Sequence, residues 1–199
     1  MRHPRGFVLP AIVVALAVLV TGCSSNQDKS TQDKSTQGSL AVKLGASRPA
    51  AQVQGASAAS DDPMTQVHAA NVTISGIEAR RSDGTWVPVE NGLPAVVDLL
   101  ALANGGDTVT LPPDLLPEGQ YNALQLRITK VELTLENDTT VTIVPSGTGW
   151  IVLIPEDFGV VTGQATIVTL NVRLDLSFKL VNGHFEFEPE IEVEGVEHD

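Results

Sequence analysis

The sequence predicts an all-β protein: an antiparallel β-sandwich of Ig-like or prealbumin-like Greek-key type, with little helix. Three observations carry that expectation. From Val67 onward apolar residues alternate with polar ones far more than they recur at helical spacing. Turn signals built on Gly, Pro, Asn and Asp separate the apolar runs. The stretch that shows this pattern is long enough, at about 150 residues, to bury a core without disulfides, and the chain holds one cysteine.

The elements follow in order. Leu40 to Leu44 reads as a first strand, and Gly45 to Ser60, rich in Ala, Ser, Gln and Gly, as a long loop reaching about residue 62. Val72 and Ile74 alternate ahead of Gly76, and Ser82-Asp83-Gly84 makes a hairpin turn before Trp86-Val87-Pro88-Val89. Asp98 to Ala103 and Pro113 to Leu116 are the short helical candidates. Leu124, Leu126 and Ile128 share one face; Val131, Leu133 and Leu135 share another, closed by Asn137-Asp138. Val141 and Ile143, then Ile151 and Leu153, continue the alternation around Pro145-Ser146-Gly147. Val168 to Leu180 places every second residue on one parity, as one long strand or two, and Asn182-Gly183 turns into the last strand.

Residues 1–38 read differently. Arg2 and Arg5 precede an apolar run from Phe7 to Val20, the length of a signal-peptide core and too short for a stable membrane span. Leu19-Val20-Thr21-Gly22-Cys23 follows, and the whole resembles a bacterial lipoprotein signal peptide with its lipobox. That resemblance implies cleavage after residue 22 and a diacylglyceryl cysteine at Cys23, the lipidation site through which the chain meets a membrane. An acylated Cys23 leaves no thiol, which excludes disulfides, zinc–thiolate sites and cysteine nucleophiles. Ser24 suits sorting to the outer membrane if the envelope is Gram-negative. Residues 23–38 contain the near-duplicate Asp28-Lys29-Ser30-Thr31-Gln32 and Asp33-Lys34-Ser35-Thr36-Gln37, with no apolar residue from Ser24 to Gly38. Such a segment repays no ordering entropy and reads as a flexible tether with a reach of about 20 Å. The sandwich is then residues 39–195, with 196–199 as a tail.

Cleavage takes away Arg2 and Arg5 and no acid. Twelve basic and 24 acidic groups become 10 and 24, a formal charge of −14 on 177 residues (199 − 22). That balance excludes nucleic acid as a partner and docking on anionic lipid by charge, both of which need clustered Lys and Arg.

Two further runs are distinctive. Val96-Val97-Asp98-Leu99-Leu100-Ala101-Leu102-Ala103-Asn104-Gly105 is followed by Leu116-Pro117-Glu118-Gly119-Gln120-Tyr121. Val144-Pro145-Ser146-Gly147, Phe158 to Gly163, Leu170 to Asp175 and Phe185 to Ile191 come after them in order. This series resembles the bacterial lipoprotein family known as domain of unknown function 4382. The resemblance implies a lipid-anchored β-sandwich and brings no known activity. It also implies that Leu40 to Leu44 is the family's first strand, with Asp61-Asp62-Pro63 supplying a D-x-P step after an insertion.

The last strand carries the main candidate site. Glu186, Glu188, Glu190, Glu192 and Glu194 alternate with Phe185, Phe187, Pro189, Ile191 and Val193. On a continuous strand these carboxylates share one face about 6.6 Å apart, repelling by about 0.6 kcal/mol per neighbouring pair in water. Glu188, Glu190 and Glu192 are therefore metal-ligand candidates for weak Ca2+ binding. Calcium takes six to eight oxygens at about 2.3–2.6 Å, so a tight site also needs loop acids such as Asp61, Asp62, Glu156 or Asp157. The competing reading is an edge strand that uses Glu and Pro189 against edge-to-edge aggregation.

Other residues give weaker signals. His68, His184 and His198 lack ligand-like spacing in loop, turn and tail contexts, and Tyr121 reads as a packed aromatic. Trp86 and Trp150 sit inside strand patterns, so packing outweighs a sugar-stacking role. Pro145 to Gly149 lacks a nucleophile elbow, and nothing fixes a carboxylate pair around Asp175 as a glycosidase needs. The expectation is a non-enzymatic, lipid-anchored binding or structural module of the cell envelope, whose protein or glycan partner is open. The alternative is a cation-dependent adhesion or carbohydrate-binding module using the Glu column.

Overall fold

Two long strands, β2 (Val67–Arg81) and β7 (Gly119–Leu135), pair antiparallel along nearly their whole length and organise the chain. The computed structural model describes residues 36–48, 63–90 and 92–199. On one side of β2 lie β3 (Trp86–Val89) and β4 (Ala95–Asp98), end to end. On the far side of β7 lie β8 (Thr140–Ile143) and β9 (Trp150–Val160), also end to end. These six strands form one sheet.

The other main sheet is centred on β1 (Gln37–Ser47), which holds β5 (Val109–Thr110) and β6 (Asp114–Pro117) along one edge. Its other edge pairs in parallel with β10 (Ala165–Arg173), and β13 (Ile191–His198) closes the sheet antiparallel to β10. The all-β expectation holds. The sheet is mixed, however, where an antiparallel one is expected, because residues more than a hundred positions apart bring β1 beside β10. A small hairpin, β11 (Phe178–Val181) with β12 (His184–Phe187), stands apart from both sheets. One continuous core joins the sheets, with Leu40, Val42, Leu44, Val168 and Leu170 against Val72, Ile77, Leu124, Leu126 and Leu133.

The helical candidates divide. Asp98 caps α1 (Leu99–Gly105): its Oδ1 accepts from the Leu100 and Ala101 amides at 3.1 and 3.2 Å, and from Ala70 of β2 at 3.0 Å. One carboxylate thus starts the helix and ties it to the sheet, as a capping Asp does. Pro113 to Leu116 instead enters β6, where backbone pairing with β1 overrides local preference. Among the described residues no helix is long and apolar enough to cross a membrane.

The patterns of β7 and β9 need correction. Leu124, Leu126 and Ile128 share a face with Val131 and Leu133, all of them buried, although their parity differs. Thr73 pairs with Lys130 and Ile74 with Ile128, so Thr129 is an extra residue that flips the parity. On β9, Ile151 and Leu153 point outward, 51% and 56% exposed, while Ile154 and Phe158 are buried. The run from Val168 to Leu180 is also broken, because α2 (Leu174–Ser177) inserts a helical turn that leaves Leu176 and Leu180 exposed. Gly45 to Ser47 belongs to β1 rather than to a loop, and β1 already begins at Gln37, inside the expected tether.

Polar pins hold the corners. Tyr121 is buried, stacks on Phe158 with ring centroids 5.3 Å apart, and donates its hydroxyl to the Pro117 carbonyl at 2.7 Å. Burial pushes the Tyr121 phenol above its usual range, so it stays a donor through neutral pH. Tyr121→Phe should cost about 0.5–1.5 kcal/mol in urea unfolding, the worth of one such bond. The β9 parity gives a sharper contrast. Ile154→Ala should lose about 2–5 kcal/mol, whereas Leu153→Ala should stay within about 0.5 kcal/mol; equal losses would mean that β9 faces the other way.

Candidate functional site

The outer face of the six-stranded sheet carries a groove of about 710 Å³ over the middle of β2 and β7. Its floor lies on two cross-strand rows whose β3, β2 and β7 members line it and whose last members, on β9, lie beyond it. Pro88, Glu78, Gln125 and Leu153 stand in register across β3, β2, β7 and β9. Gly76, Arg127 and Ile151 form the next row. Gly76 has no side chain to fill its place, and a Cβ there would meet only the Arg127 Cβ, at 3.6 Å. The floor dips there.

Two bulges shape the dip. Between the pairs Ile74–Ile128 and Gly76–Arg127 the extra residue is Ser75, on β2. Three positions along β7 from Leu126, Thr129 is extra in its turn. Bulges of this kind re-aim side chains and increase local twist. The Ser75 hydroxyl donates to the Arg127 carbonyl at 3.4 Å. Thr148, from the β8–β9 connection, and Glu90 and Leu93, from the β3–β4 connection, form the rim. Gly149 holds the first of these connections close: at φ 138° its Cβ would come within 2.8 Å of the Ile128 carbonyl oxygen, a place and a dihedral that favour glycine.

The electrostatics of the groove are uneven. Gln125 Nε2 donates to Glu78 Oε2 at 2.9 Å, which fixes both side chains. Arg127 is partly buried, and among the described residues its guanidinium has no hydrogen-bond or ion-pair partner. Arg80 has no such partner either, but it is exposed to solvent, whereas most of the other cations are paired. Lys43, Lys130, Arg173 and Lys179 each face a carboxylate, and Arg81 faces Asp83 and lies over the Tyr121 ring.

The expected Glu column is not continuous. Glu186 lies on β12, Glu188 and Glu190 lie in the connection, and Glu192 and Glu194 lie on β13 in another sheet. Ser177, fully buried, makes the break: its carbonyl accepts from the Glu188 amide at 2.9 Å and its hydroxyl from the Glu190 amide at 3.0 Å. Glu188 is held by Lys179 Nζ at 2.7 Å, a hydrogen bond that keeps the carboxyl below and the ammonium above their usual ranges. Glu192 faces Asn171 Nδ2 at 3.3 Å and Arg173 at 3.9 Å. Among the described residues no three His, Cys, Asp or Glu side chains come together to hold a metal ion. β13 does lie at a sheet edge with Glu192 and Glu194 exposed, as the anti-aggregation reading requires.

Cys23, Asp61 and Asp62 lie outside the described residues, as do the apolar run, most of the tether and most of the long loop. Glu156 and Asp157 sit on β9, and Asp175 is bridged by Arg173 at 3.2 and 3.3 Å. His68, His184 and His198 occupy strand ends rather than loop, turn and tail. Trp150 packs edge-on against Phe187 with centroids 5.1 Å apart. The groove residues Ser75, Gly76, Arg127 and Thr129 were not singled out from the sequence, although their signal was present. Apolar residues step by three at Ile74–Ile77 and again at Ile128–Val131, which is what a bulge writes into an alternating pattern.

With Glu188 already paired and the carboxylates divided between sheets, millimolar calcium should leave the melting temperature unchanged, in the native chain and in a Glu188→Gln, Glu190→Gln, Glu192→Gln variant alike. A rise in the native chain alone, followed by calorimetry, would restore the metal reading.

No curated protein and no solved structure matches the chain. A family model described as "Domain of unknown function (DUF4382)" matches residues 58–189, which leaves out β1, including Leu40 to Leu44, although β1 is the centre of the five-stranded sheet. On that match, which spans most of its length, the chain belongs to the DUF4382 family.

Proposed function

We propose that this chain is a lipid-anchored lipoprotein of the cell envelope whose β-sandwich serves as a binding or structural module rather than an enzyme. The observation that carries the reading is Leu19-Val20-Thr21-Gly22-Cys23 placed directly after the apolar run Phe7 to Val20. One acyl chain holds a protein only marginally; two or three, at about 0.8 kcal/mol per buried methylene, hold it stably.

The arrangement of the sandwich fits a leashed module. The Glu118 amide donates to the Thr36 carbonyl at 2.9 Å, so the chain enters beside Gly119, the start of β7. Arg127 stands eight positions further along the same strand, about 26 Å away at strand rise. The groove thus lies along β7 away from the end at which Thr36 meets the sandwich. The acidic surface agrees with anchoring by lipid alone, since a formal charge of −12 on the full chain gives no electrostatic hold on an anionic leaflet.

Expression of the full chain in a bacterial host with labelled palmitate tests the anchor. The native chain should carry the label and fractionate with membranes, with the outer membrane where the host is Gram-negative. Cys23→Ser should lose the label and at least nine-tenths of the membrane fraction. Undiminished label in that variant would remove the proposal.

A further inference from the structure

We infer that the groove around Arg127 binds a carboxylate-bearing sugar, the acidic unit of a polysaccharide; this names the ligand class for the binding module proposed above and rests on that reading. The inference starts from the partly buried guanidinium of Arg127, unpartnered among the described residues, in a chain with twice as many acids as bases. A cation removed in part from water and left without a counter-charge is unfavourable. In so acidic a protein a neighbouring carboxylate would be easy to supply, yet Glu78, the acid in the floor on β2, accepts from Gln125 instead. Arg127 is open to a ligand.

The chemistry of the surroundings selects the ligand. The guanidinium fork matches a planar carboxylate in two parallel hydrogen bonds. Glu78 and Glu90 stand in the same groove, and they repel a doubly charged phosphate more than a singly charged carboxylate. The Glu78–Gln125 pair and the hydroxyls of Ser75, Thr129 and Thr148 offer acceptors and donors of the kind that sugar hydroxyls satisfy. Pro88 and Leu93 supply apolar surface for the C–H face of a ring. A peptide fits less well. β2 and β7 are internal strands whose main-chain groups are used in the ladder, so the floor has no free backbone edge on which an extended peptide could pair.

The test uses the purified full chain in detergent with three probes: hexagalacturonic acid, the neutral hexagalactose obtained by reducing its carboxyl groups, and hexaglutamate. Calorimetry should give binding of the acidic sugar at least tenfold tighter than either of the others. Arg127→Gln should weaken that binding tenfold or more, and Arg127→Lys should recover only part of it, because an ammonium cannot form the two parallel bonds. Lys130→Gln, at the next cation along β7, which is turned to Glu132 at 2.9 Å, should leave it unchanged. Gly76→Leu should fill the floor and abolish binding, with circular dichroism reporting that the sheet is kept. Equal affinity for acidic and neutral sugars, tighter binding of hexaglutamate, or indifference to Arg127→Gln overturns the inference. None of these outcomes touches the palmitate label on Cys23, so failure of the ligand class and failure of the anchored-module reading remain distinguishable.

Discussion

The β2–β7 ladder, with an extra residue on each strand at nearly the same level, is the constraint on which the remaining structure depends. Side chains alternate with period two, so a strand that gains one residue turns everything beyond it to the opposite face. A bulge on β7 alone would keep Val131 and Leu133 in the core but turn Val72 and Ile74, on an unbulged β2, into solvent. Here Ser75 and Thr129 flip both strands together, and Val72, Ile74, Ile77 and Ala79 remain buried opposite Leu124, Leu126, Ile128 and Val131. Strands of 15 and 17 residues can then share one core despite their length and twist. β3, β4, β8 and β9 are positioned by that pair, and the groove lies on the outer face where the two bulges meet.

Around this ladder, single polar groups settle where the chain turns. Asp98 starts α1 and holds it to β2 through one oxygen. Ser177 accepts two amides and so converts what would be one Glu-rich strand into two. Each of these side chains replaces a partner that a broken ladder or a helix end would otherwise lack. The separation of the glutamates follows from the same bonds, and so does the loss of the multidentate geometry that calcium needs.

A sheet face made from internal strands recognises ligands through side chains alone, since its backbone is already spent on the ladder. The groove suits such recognition. It has a floor of paired strands, a guanidinium that has no partner among the described residues, a fixed Glu78–Gln125 pair and a glycine where a side chain would stand. Two connections, those carrying Leu93 and Thr148, form its rim.

Much of the fold was legible in the sequence. Alternation and turn residues placed β3 at Trp86–Val89 and the hairpin turns at Ser82-Asp83-Gly84 and Asn182-Gly183, and the short helical candidate Asp98 to Ala103 overlaps α1, because each depends on chemistry local to a few residues. The sequence also determined the all-β class, the acidic charge and the family's ordered motifs. Tertiary structure alone decided the parallel pairing of β1 with β10, the outward turn of Ile151 and Leu153, and the division of the glutamates between β12 and β13. It also decided the candidate site. Ser75 and Thr129 look like ordinary strand residues until the register of β2 on β7 shows them unopposed, and Arg127 looks like any charged residue until its neighbours are known. Register and the absence of a partner are properties of two segments brought together, and no single segment encodes them.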